Sequence, residues 1–196
     1  DARLVIWDDL GLTAQGLTDN DVRVFQRARD DGLPLYFIGE SLAASAKNLS
    51  AALQAQWLNL IHLQAATSQR GNGVLAIQGA ADHPVTRGHF GVAGNFSYAT
   101  VADGVFQPAF GATLLAKSGT VDVLVAFEED TGGIPFRTVT QDFLVANGLE
   151  ARDRAEQKRI FKNTVAWLLR NEFQALTDLG VALTGPQSPV KAGQEL

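Results

Sequence analysis

Two adjacent carboxylates, Asp8 and Asp9, close the apolar run Arg3-Leu4-Val5-Ile6-Trp7, and Glu40 with Ser41 follows a second run, Leu35-Tyr36-Phe37-Ile38-Gly39. Such runs read as buried strands. In open α/β sheets, ligands gather beyond the carboxyl ends of the strands, so Asp8, Asp9, Gly39, Glu40 and Ser41 are expected to converge at one edge. Paired carboxylates there can hold a hard cation or sugar hydroxyls, or serve as general acid and base where burial raises one pKa. The alternative is that they cap a helix and solvate the edge. Ser41 stands at a strand-to-helix turn, but Ala43 occupies the place of the second glycine of Gly-x-Ser-x-Gly, so it reads as an N-cap rather than a nucleophile.

His83 precedes Pro84 at a turn, and His89 follows six residues on. With Asp82 they form a candidate metal or acid–base cluster, but the spacing matches no standard ligand motif and a structural turn histidine is the favoured reading. His62, among Leu60, Ile61 and Leu63, reads as a half-buried packing residue. The acidic turn Glu128-Glu129-Asp130 lacks the alternating ligands of an EF-hand. Neither Gly71-Asn72-Gly73 nor Gly132-Gly133 has the spacing or the Lys of a phosphate loop. No Cys occurs, which removes thiol nucleophiles, disulfides, zinc–thiolate sites and iron–sulfur clusters. The residues assign no catalytic group, no metal and no cofactor.

The 196 residues carry 16 basic and 21 acidic side chains, a formal net charge of −5, with 46% apolar residues. This is the balance of one globular domain, or one domain and a fragment. Clustered Lys and Arg are missing, which argues against a nucleic-acid partner. Apolar stretches fall far short of the roughly 20 residues that cross a bilayer, so direct membrane insertion is not expected. A chain that opens at Asp1, without Met, reads as a piece of a longer polypeptide.

The elements that must position these residues follow in order. After the first strand, Thr18 and Asp21 form a capping-box pair ahead of Val22, Phe25 and Ala28 at helical spacing, and Gly32 ends that helix. A second strand over 35–38 leads to an Ala- and Leu-rich segment, 41–66, expected to be helical, and a third strand is expected at 74–77. The succession predicts an α/β fold with a mostly parallel central sheet covered on both faces. The Gly-rich middle reads as short strands and turns. Within it, Phe90, Phe96, Tyr98, Phe106 and Phe110, together with Tyr36, read as core, with ring stacking on sugars or docking of neighbouring modules as the alternative. Strands at 121–127 and 136–139 form a hairpin, and 154–173 carries an apolar stripe that predicts a closing helix.

Three segments resemble the class I glutamine amidotransferase-like superfamily, in its ThuA-like branch. They are Asp31-Gly32-Leu33-Pro34-Leu35-Tyr36-Phe37-Ile38-Gly39-Glu40-Ser41, the turn His83-Pro84-Val85-Thr86-Arg87-Gly88, and Phe161-Lys162-Asn163-Thr164-Val165-Ala166-Trp167-Leu168-Leu169. The resemblance implies a flavodoxin-like three-layer sandwich over 1–176. It places the family's nucleophile at Gly39, which has no side chain to attack a carbonyl, so amidotransferase chemistry does not carry over. Residues 177–196 are similar to the opening of a DUF11-type bacterial surface repeat, through Asp178-Leu179, Pro189 and Ala192-Gly193-Gln194-Glu195-Leu196. That segment is expected to be a linker and the first strand of an Ig-like unit. Together the two resemblances imply a non-catalytic module of a secreted or cell-surface multidomain protein, with partners among its neighbouring domains, carbohydrate or another surface protein. The competing expectation is a hydrolase or carbohydrate-active domain using the carboxylates and His83.

Overall fold

The computed structural model describes residues 2–9, 16–39, 42, 46–69, 73–77, 82–99, 103–129 and 136–170. Strand β1 (Val5–Asp9) leads to helix α1 (Asp19–Asp30) and strand β2 (Leu35–Gly39). The expected capping box opens α1. Thr18 Oγ1 accepts the Asp21 N–H at 3.3 Å, and Asp21 Oδ2 accepts the Thr18 N–H at 2.8 Å. Val22, Phe25 and Ala28 form its buried face. A short 3-10 turn (Ala46–Asn48) precedes helix α2 (Ala51–Leu60), which Ser50 caps and which buries Trp57 and Leu60.

The single long helix expected over 41–66 is not found. His62 adopts a left-handed backbone with φ of 54°, which ends the helical run, and Leu63–Gln69 becomes strand β3. Ala-rich sequence favours helix only weakly, and here antiparallel pairing of β3 with β8 (Asp103–Pro108) overrides it. The next strands are β4 (Gly73–Ile77), β5 (Arg87–Gly88), β6 (Gly91–Val92) and β7 (Phe96–Tyr98). After β8 come β9 (Thr113–Ser118), β10 (Val121–Glu129) and β11 (Phe136–Gln141), and helix α3 (Ala151–Leu168) follows.

The main sheet runs β1-β2-β11-β10-β9-β4-β7, with the β3–β8 ladder attached to β10, and β5 pairs with β6 apart from it. Only β1–β2 and β2–β11 pair in parallel among the described strands. The expectation of a mostly parallel sheet is therefore corrected: the fold is mixed α/β. The turn at Gly119, with φ of 60°, folds β10 directly back on β9, and so short a connection enforces antiparallel pairing.

Side chains alternate along β2. Leu35 and Phe37 join the core beneath α1 and α2, while Tyr36 and Ile38 join the core beneath α3. The first core holds Phe25, Phe37 and Trp57 in mutual ring contact at 5.1 to 5.9 Å. The second holds Phe96, Tyr98 and Phe143. Of the aromatics read as core, Phe90 is half-buried, Phe110 is 98% exposed, and the side chain of Phe106 lies outside the described residues.

Helix α3 packs its apolar stripe, including Ile160, Trp167 and Leu168, into that second core. Its flank is polar and reaches backbone. Asp153 accepts the Ser97 N–H at 3.2 Å, Glu156 the Gly94 N–H at 2.8 Å, and Gln157 the Gly148 N–H at 2.8 Å. Asn163 accepts the Phe90 N–H at 2.9 Å and donates to the Gly91 carbonyl at 3.0 Å. Burial opposes ionisation of Glu156, yet the Gly94 N–H and Arg159 hold its carboxyl below its usual pKa.

Gly88 and Asn163, from two of the segments quoted above, meet here. A Cβ on Gly88 would stand 2.2 Å from the Pro84 carbonyl oxygen and 2.7 Å from Asn163 Oδ1. Gly88→Ala is therefore expected to cost at least about 3 kcal/mol in urea unfolding, since backbone must move to admit it. Gly32→Ala meets nothing within 4 Å and carries only the strain of its φ of 75°, an expected cost of about 1 kcal/mol. Equal losses for the two variants would refute the close packing of the 83–88 turn on α3.

Candidate functional site

The parallel strands bring their carboxyl ends together as the first runs of the sequence imply. Asp8 pairs with Ile38 and Asp9 with Gly39, and on the other side of β2 Gln141 also pairs with Ile38. Asp8 is exposed and Gly39 is buried. The side chain of Asp9, and both Glu40 and Ser41, lie outside the described residues, so the capping role read for Ser41 does too.

Sequence reasoning missed three groups here. The Tyr36 hydroxyl donates to Gln141 Oε1, and Gln141 Nε2 donates to the Phe143 carbonyl at 2.6 Å. Asp142, fully buried, follows at the end of β11, with its backbone N–H on the Val123 carbonyl at 2.9 Å. Burial raises the Tyr36 pKa above its ordinary value; a Thr164 hydrogen bond opposes this, and the Asp8 charge adds to it. Tyr36 therefore stays a neutral hydroxyl and serves as a donor, not a base. Only the position of Gln141-Asp142 at the end of a hydrophobic strand could have flagged the pair.

The histidines do not join this edge. His83 is half-buried, its Nδ1 accepts the Val85 N–H at 3.2 Å, and its ring lies edge-on to Trp167 at 4.7 Å. Arg137 lies 4.8 Å over the same Trp167 ring and donates to Glu128 at 2.7 Å. Arg137 sits one residue before Thr138, the partner of Leu35 at the start of β2, whereas Asp8 and Asp9 pair at its end. At roughly 3.3 Å per residue the two groups are separated by at least about 13 Å along the strand. His89 is exposed on the turn between β5 and β6, against Phe90. Asp82 pairs with Arg87 at 3.1 Å on the surface. Among the described residues, no group of three or more His, Cys, Asp or Glu is placed to hold a metal ion.

His62 is buried rather than half-buried. It stacks on Phe127 with ring centroids 3.6 Å apart, and its Nε2 has no hydrogen-bond partner among the described residues. Burial lowers its pKa to about 4, with the Arg29 charge acting in the same sense. Burial also lowers His83 to about 4, with Glu128 opposing and Arg137 reinforcing the shift. Both rings are neutral at pH 7 and act as packing groups.

A depression among the described residues lies elsewhere. It measures about 320 Å³ and is lined by Val74, Phe96, Leu149 and the start of α3, at the β4–β7 side of the sheet. No helix among the described residues is long and apolar enough to cross a membrane.

Fold and edge together define a mixed α/β domain in which the described parallel strands β1 and β2 end side by side at Asp8, Asp9, Ile38 and Gly39. Comparison with solved structures gives the same fold. The chain is similar to the mmIFT52 N-terminal domain, with a TM-score of 0.53 and 14% identity over 84% of this chain and 76% of that one. Weaker overlaps occur with a glutamine amidotransferase from Thermotoga maritima (TM-score 0.47, 10% identity, 76% of this chain and 68% of that one) and a cytoplasmic protein from Salmonella typhimurium (0.49, 14%, 84% and 71%). At such identities a likeness concerns fold alone. No protein-family model and no curated protein matches the chain.

The two depressed histidines set a pH dependence. Unfolded histidine binds a proton near pH 6.5, while the folded rings resist it until about pH 4, so the unfolded chain binds more protons in that window and stability falls with acidification. The urea midpoint is expected to drop steadily from pH 6.5 to 4. His62→Asn, which tolerates the left-handed backbone, should flatten the drop by on the order of 2–3 kcal/mol. An unchanged pH slope in that variant would contradict the burial assigned to His62.

Proposed function

We propose that this chain is a non-catalytic α/β module, of flavodoxin-like three-layer layout and related to the amidotransferase-like superfamily in its ThuA-like branch, that serves interaction or architecture in a surface-displayed multidomain protein. The observation that carries this reading is the division of the polar groups between opposite ends of β2. Asp8 and Gly39 lie at one end, while His83 is tied to Trp167 beside Arg137 at the other. An acid–base pair needs its members within hydrogen-bond reach of one reacting atom, and His83 packs against Trp167 beside Arg137, whose strand position lies about 13 Å from that of Asp8. Gly39 offers no attacking atom at the position where the resemblance expects one. What remains at the carboxyl end is a cluster of acceptors and amides suited to holding a partner's backbone or hydroxyl groups, contributed by neighbouring domains, carbohydrate or another surface protein.

The purified chain is expected to show no turnover above a heat-denatured control on chromogenic esters, phosphates and glycosides or on glutamine. Asp8→Asn should leave that baseline where it is. Turnover that Asp8→Asn abolishes would overturn the reading in favour of a hydrolase or carbohydrate-active site at the same edge.

A further inference from the structure

Asparagine followed by glycine is the dipeptide in which the next backbone nitrogen most readily attacks the side-chain amide, because glycine has no Cβ in the way. The chain has two such pairs, Asn72-Gly73 and Asn147-Gly148, and the second lies among the described residues. Both of its reacting groups are held by one side chain. Gln157, 1% exposed, accepts the Gly148 N–H at 2.8 Å and donates to Asn147 Oδ1 at 2.5 Å. The Asn147 amide nitrogen donates to the Ala99 carbonyl, and the Ala99 N–H donates to the Asn147 carbonyl at 2.9 Å. Gly148 bridges Tyr98 and is packed so closely under Asp153 and Arg154 that it lacks room for a Cβ.

We propose that Asn147-Gly148 is a deamidation site kept shut by the fold, with Gln157 as the clamp, and that it turns opening of the β7–α3 seam into a one-way event. In the step itself the Gly148 nitrogen loses its proton and bonds to Asn147 Cγ. The side-chain nitrogen leaves with a proton as ammonia, and water then opens the resulting succinimide to aspartate or isoaspartate. No oxidant or cofactor enters. While Gln157 is in place the attacking N–H is committed to a buried acceptor and the amide is turned toward Ala99, so neither reactant is free. Once α3 lifts, both are.

The product does not fit the seam. A carboxylate at 147 would present an acceptor to the Ala99 carbonyl where a donor had been. An isoaspartate would also lengthen the backbone within the pairing to Ala99 and Tyr98. Re-closure is disfavoured in either case.

The test is peptide mapping by mass spectrometry of the whole chain in mildly alkaline buffer, reading the mass gain of about one dalton at residue 147, with Asn72 followed on its own peptide. Native protein should deamidate at 147 more than about tenfold slower than urea-unfolded protein, the ratio reporting the opening equilibrium. Gln157→Ala should raise the rate in native buffer severalfold. Gln157→Glu, which keeps an acceptor for Gly148 but cannot donate to Asn147, should raise it as well and keeps the test open if the alanine variant does not fold by circular dichroism. Asn147→Asp should lower the urea midpoint. Equal rates in native and unfolded chain, or folded Gln157 variants at the wild-type rate, would overturn the proposal.

Discussion

Backbone satisfaction along the 88–97 segment and around residue 148 is the constraint on which this domain rests. The segment contains only two- and three-residue strands, so ladder pairing leaves several of its amides without partners. An orphaned buried amide costs a few kcal/mol at most sites. Helix α3 supplies the missing acceptors from one flank, Asp153, Glu156, Gln157 and Asn163, while its neighbouring stripe buries Ile160 and Trp167. Polar recognition and apolar packing are thus carried by one helix, and neither can be lost without exposing the other.

The same economy explains why the two ends of the parallel strands differ. At the amino end, Arg137 is used to close α3: its guanidinium donates to the Trp167 carbonyl, covers the indole and pairs with Glu128. A cation at a helix C-terminus satisfies orphan carbonyls and the helix dipole together, and the His83 ring packs edge-on to the same indole. Toward the carboxyl end the Tyr36 hydroxyl donates to Gln141, which in turn donates to the Phe143 carbonyl. The polar groups described at the first end are thus taken up by structural contacts.

How far all this was legible in the sequence depended on the range of the interaction. The Thr18–Asp21 capping box and the Val22, Phe25, Ala28 face are local patterns and were readable in place. So were the hairpin of β10 with β11 and the apolar stripe of α3. Sheet direction was not, because strand after helix reads as parallel whether or not later hairpins intervene, and the β3–β8 ladder was hidden behind alanines that suit a helix. For the candidate site, the strand-end rule put Asp8 and Gly39 side by side, as the β1–β2 register has them, and His83 was readable as a turn histidine, whereas its seat against Trp167 depends on a contact across 84 residues of chain. Gln141 and Asp142 escaped notice because nothing in their immediate neighbours marks them.

The β2–β11 pairing sets an order of assembly. It joins Leu35 to Thr138 and Ile38 to Gln141, partners that are about a hundred residues apart in the chain, while β9 and β10 are joined by a two-residue turn. Closing the larger loop costs more chain entropy and is slower than zipping a hairpin. The β9–β10 hairpin is therefore closed by a far shorter loop than the β2–β11 pairing, while β1 and β2 meet across about 30 residues. A chain that ends before residue 136 lacks β11, and the edge of β2 opposite β1 then has no strand to pair with.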